Sequence, residues 1–143
     1  MPKAGGKSLL GMFLKEKDMR NIQSPRTDDA GIEAEIIAKG KTAPRVTPSD
    51  IEANIAEEYY FTADEGVANS DQAYPAYSTA LEMLTLCVLV LENGFVVTGE
   101  SACASSENFD AEVGRKIARQ NAVQKIWPLM GYALKERLAD QAS

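Results

Sequence analysis

Met83-Leu-Thr-Leu-Cys-Val-Leu-Val-Leu91 and Phe95-Val-Val-Thr-Gly-Glu-Ser-Ala-Cys103 flank an Asn93-Gly94 pair, and this stretch decides the fold of the chain. An Asn-Gly pair between two apolar runs favours a two-residue type I′ turn, because both central residues of that turn need a positive φ. We therefore predict a β-hairpin. A two-residue loop puts Cys87 and Cys103 on opposite faces of the hairpin, so the sequence predicts two unbridged thiols.

The residues that follow the hairpin have helical spacing, and we predict a helix from Asp110 to about Trp127. A stripe of small residues on this helix allows the backbone of the sheet to approach closely. The stripe consists of Ala111, Gly114, Ala118 and Ala122. Because the residue before a proline avoids α geometry, Pro128 is expected to end the helix, and a short final helix is expected over residues 130–138.

Both faces of the hairpin are apolar near the turn, so each face needs a covering layer. The long helix covers one face. The other face is expected to be covered by the N-terminal half of the chain or by a second subunit. Further strands are also expected, since a hairpin alone is marginally stable in water. A homo-oligomer is the assembly that we expect.

The N-terminal half is predicted to be mostly helical. Apolar spacing and a terminal glycine indicate one helix over residues 28–38. Thr47 as N-cap and Pro48 as first helical residue begin a second, acidic helix that extends to about residue 60. Residues 1–27 are punctuated by Gly and Pro, which predicts a weakly ordered arm.

These elements predict an α+β fold class. An antiparallel β-hairpin or small sheet packs against a long C-terminal helix, with one or two N-terminal helices. We expect a single domain over residues 28–143, with the arm of residues 1–27 outside it.

Composition limits the class of protein and its partners. The 143 residues are 45% apolar and carry a formal net charge of −6. The longest apolar run is far shorter than the roughly 20 residues that a membrane helix needs, so no membrane contact is expected. Residues 48–82 carry acids and no Lys or Arg, whereas bases outnumber acids from residue 110 onward. These two regions are expected to attract each other or to face solvent. Duplex nucleic acid is not expected as a partner, because the sequence has no dense Lys/Arg stripe.

The chain has no histidine, which removes the commonest general base and the commonest metal ligand. Two cysteines on opposite faces cannot form a zinc site, and no acidic set has EF-hand spacing. The Gly40-Lys-Thr42 segment is not a phosphate loop, because Glu35 stands where the first glycine of that motif belongs. A catalytic Glu100 or Cys103 would lack a paired group. We therefore expect no enzyme, no metal and no cofactor.

The best candidate site joins the end of the second strand to the basic first turns of the long helix. Hydroxyl, amide and cationic side chains there are suited to holding a phosphate. They are Ser101, Ser105, Ser106, Asn108, Arg115, Lys116 and Arg119. The alternative is structural: Ser and Asn cap the helix, while Arg and Lys pair with Asp110, Glu112 or the acidic residues 48–82. Tyr74 and Tyr77, in a polar loop, are expected to be exposed and to stack on a base or contact a partner.

Five segments carry a resemblance to a known family: Ala43–Ala56, Tyr60–Thr62, Leu84–Cys103, Glu107–Arg119 and Lys125–Tyr132. They resemble a family of small tailed-phage proteins called gene product 49 or gene product 66. The resemblance covers roughly residues 38–139, with Ser106 where the family pattern leads us to expect proline. It implies phage origin and little mechanism.

Phage origin favours an accessory factor in the cytoplasm of the infected bacterial host. One hypothesis is a non-catalytic protein that sequesters a small anionic, nucleotide-like ligand used in host defence. The alternative is a protein–protein interaction factor that engages a host enzyme or a virion component through the acidic helix, the aromatic loop or the arm.

Overall fold

The computed structural model describes residues 28–41 and 43–143, which belong to two separate units with a boundary after Thr42. The predicted arm of residues 1–27 lies outside the described residues, and the predicted domain boundary at residue 28 stays a prediction. Helix α1, Asp29–Ala38, is capped by Asp28, whose Oδ1 accepts a hydrogen bond of 2.8 Å from Gly31 N. Gly40, with φ of +69°, follows its end, as the sequence predicts.

Residues 43–143 contain two short helices, a three-stranded antiparallel sheet and one long helix, which confirms the predicted α+β class. The elements are α2 (Pro48–Ala53), β1 (Ile55–Thr62), α3 (Ala63–Ala68), β2 (Leu84–Leu91), β3 (Val96–Ala102) and α4 (Ala111–Ala142). The strand order is β1-β2-β3, so the predicted hairpin gains one strand on its β2 side. Short 3₁₀ turns, Thr79–Met83 and Ser106–Asn108, precede β2 and α4.

The predicted acidic helix is wrong beyond Ala53. Thr47 caps α2 as expected, with Thr47 Oγ1 accepting from Asp50 N and Asp50 Oδ2 accepting from Thr47 N. The chain then continues as β1, in which Tyr59 pairs with Val88 of β2. Helical spacing is present at Ile51, Ile55 and Tyr59. Aromatic residues favour strands, however, and the backbone N–H and C=O groups along the edge of β2 pair with this segment when it is extended.

The register of the predicted hairpin is wrong by one residue. Leu91 N donates to Phe95 O at 2.8 Å, so the loop contains three residues, and Gly94 alone supplies the positive φ, +88°. Cys87 therefore pairs with Gly99, where a two-residue loop would place Glu100 opposite it. Cys87 and Cys103 lie on the same side of the hairpin, four pairs apart, and both are free thiols.

One face of the sheet packs against α4 at very short range. A Cβ on Gly99 would lie 2.1 Å from Ala118 O and 2.3 Å from Ala122 N, and one on Gly114 would lie 2.9 Å from Thr85 Oγ1. The predicted close approach is therefore confirmed. Gly114, Ala118 and Ala122 of the small-residue stripe are buried, whereas Ala111 is exposed. The buried core consists of Ile51, Cys87, Leu89, Leu91, Val97, Ala118, Ala122, Val123 and Ile126.

Helix α4 does not end at Trp127, and the predicted break is wrong. It continues through Pro128 to Ala142 as a single helix of 32 residues. Pro128 has no backbone N–H, so the carbonyl of Gln124 lacks its helical hydrogen bond. Both residues are exposed, and water can donate to that carbonyl instead.

Candidate functional site

The basic side of α4 faces β1 and α2, and Arg119 lies at its centre. Its Nη1 and Nη2 donate to the Glu52 carboxylate at 3.0 and 2.8 Å, while Nε and Nη2 donate to the Glu58 carboxylate at 3.1 and 2.9 Å. The Arg119 side chain retains only 27% of its exposure. Two forked pairs of this kind hold the guanidinium in one orientation and join α4 to both neighbouring elements.

The electrostatics of this cluster follow from these hydrogen bonds. Those from Arg119 hold the pKa of the Glu52 and Glu58 carboxyls below its ordinary value of 4.5, against the opposing effect of burial. The same bonds raise the pKa of the Arg119 guanidinium. Tyr60 donates to Glu58 Oε1 at 2.8 Å, and its pKa is raised by burial and by this bond. All these groups therefore keep their charge states at neutral pH.

Arg115 and Lys116 differ from Arg119 in their partners. The guanidinium of Arg115 lies over the ring of Tyr60, 5.6 Å from its centroid, and no carboxylate pairs with Arg115 in the described part of the chain. Lys116 Nζ lies 3.3 Å from Glu112 Oε2, with both side chains more than 70% exposed. An exposed pair one helical turn apart contributes little and exchanges readily.

An open concavity of about 450 Å³ lies beside these bases. Its lining consists of Tyr60, Ala111, Glu112, Arg115, Lys116 and Arg119. The structure thus brings together the three bases of the predicted site and adds an aromatic ring to them.

The hydroxyl and amide residues of the predicted site do not join the bases. Ser101 and Asn108 line a separate recess of about 210 Å³ on the β3 side of α4, together with Cys103. Ser105 Oγ accepts from Glu107 N at 3.3 Å and caps the second 3₁₀ turn, in which Ser106 is the first residue. The N-terminus of α4 is capped by Asp110, whose Oδ1 accepts from Val113 N at 3.0 Å. That carboxylate already occupies the positive end of the helix.

The structural alternative is therefore confirmed for two side chains: Arg119 pairs with the acidic segment, and Lys116 pairs with Glu112. Its other part is wrong, because Ser105 caps the 3₁₀ turn and Asp110 caps the long helix. Sequence reasoning missed Glu52, Glu58 and Tyr60 as parts of the site. The charge contrast between residues 48–82 and α4 pointed to such pairs, but only the strand conformation of β1 shows which acids they involve.

Tyr74 and Tyr77 are exposed, as expected, with 89% and 42% of their surface accessible. Neither lines the concavity beside Arg115. Their predicted role in stacking or partner contact stays a prediction.

Metal centres and membrane-spanning helices are two further features that bear on function. Within residues 28–41 and 43–143, no three His, Cys, Asp or Glu side chains are grouped closely enough to hold a metal ion. In that part of the chain no helix has both the length and the apolar character needed to cross a membrane.

Comparison with known proteins identifies a family to which the chain is similar. A family profile described as "Phage protein (N4 Gp49/phage Sf6 gene 66) family" matches residues 46–138, which is more than half of the chain. No curated protein and no solved structure matches the chain.

Proposed function

Because the chain belongs to the N4 Gp49/phage Sf6 gene 66 family of phage proteins, we propose that it is a non-catalytic accessory protein that sequesters a small anionic, nucleotide-like ligand. The observation that carries this proposal is the concavity beside Tyr60, in which Arg115 has no carboxylate partner among the described residues and the Lys116 ammonium is exposed.

Each side chain has a distinct role in this proposal. The guanidinium of Arg115, which lies over the Tyr60 ring, is flat and cationic, and a planar base can stack on it. Lys116 leaves its exposed pair with Glu112 and neutralises a phosphate. Arg119 is saturated by two carboxylates, so it fixes the wall of the concavity and contributes no free charge.

This assignment narrows the predicted ligand-binding set. Ser101 and Asn108 lie on the other side of α4, and Ser105 is engaged in a turn, so one small ligand cannot contact them together with Arg115. Binding therefore depends on the bases next to β1.

A thermal-shift panel of cyclic and ADP-ribose-type nucleotides tests the proposal. A ligand at a hundred times its Kd stabilises the protein by about 2.7 kcal/mol, which is a readily measured shift. We expect Arg115→Ala to abolish the shift of the active nucleotide and Lys125→Ala, which removes an exposed base elsewhere on α4, to preserve it. The proposal fails if no nucleotide shifts the wild type, or if both variants lose the shift equally.

The second candidate function is a protein–protein interaction factor, and the second face of the sheet favours it. Leu86, Val88 and Val90 are only half-buried there, and their neighbours Tyr59 and Val96 are 53% and 48% exposed. The acidic helix that we predicted for this role is largely β1, so this apolar face takes its place.

A pull-down from phage-infected cells, with wild type and Val88→Lys compared, tests the second candidate. A protein retained by the wild type and lost with Val88→Lys supports it. A protein retained equally by both, or none at all, counts against it.

A further inference from the structure

The β3-side recess, which Ser101 and Asn108 help to line across α4 from the bases, has the size of a small molecule. Its volume is about 210 Å³. A water molecule takes about 30 Å³ of the liquid, so the recess has room for several waters, whereas pockets for drug-sized ligands begin at roughly 300 Å³. A ligand of about one ring would therefore fill it.

The wall of this recess is largely apolar and is assembled from separate parts of the chain. Met83 comes from the turn before β2, Phe109 from the turn before α4, and Val113 and Ile117 from the first turns of α4. Val113 is 50% and Ile117 41% exposed, so much of their apolar surface remains uncovered. A ring seated against these side chains would remove that surface from water, which favours binding.

Thr85 lies in the lining of the same recess and carries an unpaired hydroxyl. The residue is 2% exposed, and its Oγ1 has no hydrogen-bond partner among the described residues. A Cβ on Gly114, another lining residue, would lie 2.9 Å from that oxygen, so the hydroxyl points to a part of the helix that has no side chain. A buried hydroxyl without a partner is destabilising, and a bound molecule that bonds to it would offset this cost.

Two further polar side chains of the lining also lack partners. Neither Ser101 Oγ nor the Asn108 side-chain amide makes a hydrogen bond within residues 28–41 and 43–143. The thiol of Cys103, by contrast, donates to Ser105 O at 3.0 Å. A hydroxyl both donates and accepts, and an amide has donors next to an acceptor. The β3-side recess thus offers donors and acceptors together, beside apolar walls.

The charge around the β3-side recess favours a neutral ligand. Asp110 is the one charged residue in its described lining, and this carboxylate disfavours an anion. Asp110 Oδ1 also accepts from Val113 N at 3.0 Å, so the carboxylate is already engaged with the positive end of α4, which disfavours a cation. The concavity beside Arg115 has the opposite character, with three bases in its lining. The two cavities therefore do not suit the same ligand.

We propose that the β3-side recess binds a small neutral molecule with an apolar ring and a carboxamide or lactam group. The ring packs against Phe109 and Ile117. The amide group bonds to Asn108, Ser101 and the hydroxyl of Thr85. An amide presents a donor and an acceptor side by side, which matches these groups, whereas a carboxylate presents acceptors only and an amidinium donors only. This site is separate from the nucleotide site proposed above and does not depend on it.

Benzamide, benzoate and benzamidinium test this assignment, because they differ in charge and hydrogen bonding but hardly in shape. The readout is the backbone amide resonances of the isotope-labelled full chain in a two-dimensional NMR titration. We expect benzamide to give saturable shifts at Ser101 and Val113, and we expect the two charged probes to bind at least about fivefold more weakly. If benzamide gives no saturable shift at these residues, the recess holds only water and the proposal is overturned. Equal affinity for the three probes overturns it too.

A matched pair of threonine variants tests the buried hydroxyl. Thr85→Val removes it at nearly constant shape and should weaken benzamide binding about fivefold, which is the effect of one hydrogen bond. Thr98→Val removes a hydroxyl on the opposite face of the sheet and should leave the affinity for benzamide unchanged. Because Thr85→Val should not destabilise the fold, weaker binding cannot be attributed to unfolding. Equal affinities of the two variants refute the bond to Thr85.

Asn108→Ala tests the amide contact at the mouth of the recess. Asn108 is exposed in a 3₁₀ turn, so its replacement should preserve the fold and weaken benzamide binding about fivefold. The control is Ser106→Ala, in the same turn and also exposed but outside the lining, which should bind benzamide as the wild type does. Wild-type affinity in Asn108→Ala, or equal losses in both variants, counts against the β3-side recess as the site.

Discussion

At the scale of single residues, Thr85 shows an unpaired polar group inside the core. Its side chain is 2% exposed, and Oγ1 is the one buried side-chain N or O atom in the described residues without a hydrogen-bond partner. We expect Thr85→Val to raise the free energy of unfolding by about 1 kcal/mol, because it removes the cost of a desolvated hydroxyl at nearly constant shape. Urea denaturation measures this change, with Thr98→Val, on β3 and on the opposite face of the sheet, as the control. A clear loss of stability would show that the hydroxyl has a partner.

Gly99 is a residue whose missing side chain makes room for a helix. The atoms that a Cβ would meet, Ala118 O and Ala122 N, belong to the backbone and cannot move aside. We therefore expect Gly99→Ala to destabilise the protein by at least about 3 kcal/mol or to prevent folding.

Gly131 provides the control for that substitution. It lies in α4, the helix against which Gly99 packs, and a Cβ there meets nothing within 4 Å, so Gly131→Ala should stabilise the protein by up to about 1 kcal/mol through helix propensity. Thermal unfolding of the two variants compares them directly. Similar effects at both positions would contradict the close contact between β3 and α4.

At the scale of elements, Arg119 joins α4 to α2 and β1, and this connection should make stability depend on pH. The folded pKa values of Glu52 and Glu58 lie below 4.5, so folding favours their charged forms. The stabilisation is complete above pH 4.5 and is lost as the pH falls through the lowered folded values. Both carboxylates are more than a third exposed, so we expect about 1 kcal/mol in total.

Replacing the guanidinium tests this assignment. Arg119→Met should lower stability at neutral pH and flatten its decline in acid, as measured by urea midpoints on both sides of pH 4.5. Lys116→Met, which breaks only an exposed pair, should change stability by less than about 0.5 kcal/mol. An unchanged acid profile in Arg119→Met would assign the pH dependence to other carboxylates.

The same scale shows what could be predicted from the sequence. The hairpin, the long helix and its small-residue stripe follow from local patterns, and all are present. The strand identity of residues 55–62 does not, because its hydrogen bonds come from β2, more than twenty positions away. The three-residue loop does not follow from local patterns either, since an Asn-Gly pair is compatible with both loop lengths. The observed register places Val97 and Gly99 on the face that packs against α4, whereas a two-residue loop would place Thr98 and Glu100 there.

For the candidate site, the sequence indicated the bases but not their partners. Arg115, Lys116 and Arg119 were predicted from their position on one helix, and they do line one concavity. Whether Arg115 and Arg119 are paired with an acid depends on their contacts with Glu52, Glu58 and Tyr60, which the fold brings from another segment. Because the sequence predicts a helix where β1 forms, it does not show which of the three bases is already paired.

At the scale of the whole molecule, the buried core of the described residues lies within one of the two units of the chain. Among the residues that the structure describes, the buried core lies between Ile51 and Ile126, and the half-buried residues packed against it extend that span to Val46 and Met130. Helix α1 belongs to the other unit and buries no residue. The cooperative part of the chain should therefore begin near Ala43, later than the boundary at residue 28 that the sequence predicts.

A truncation to residues 43–143 tests where the folding unit begins. We expect it to unfold in a single cooperative transition and to retain slow amide exchange in β2, because it contains the whole core that the described residues form. The matched comparison is a chain of residues 28–143, which should have the same urea midpoint. If 28–143 folds and 43–143 does not, α1 is an integral part of the domain, and the boundary predicted from the sequence is the correct one.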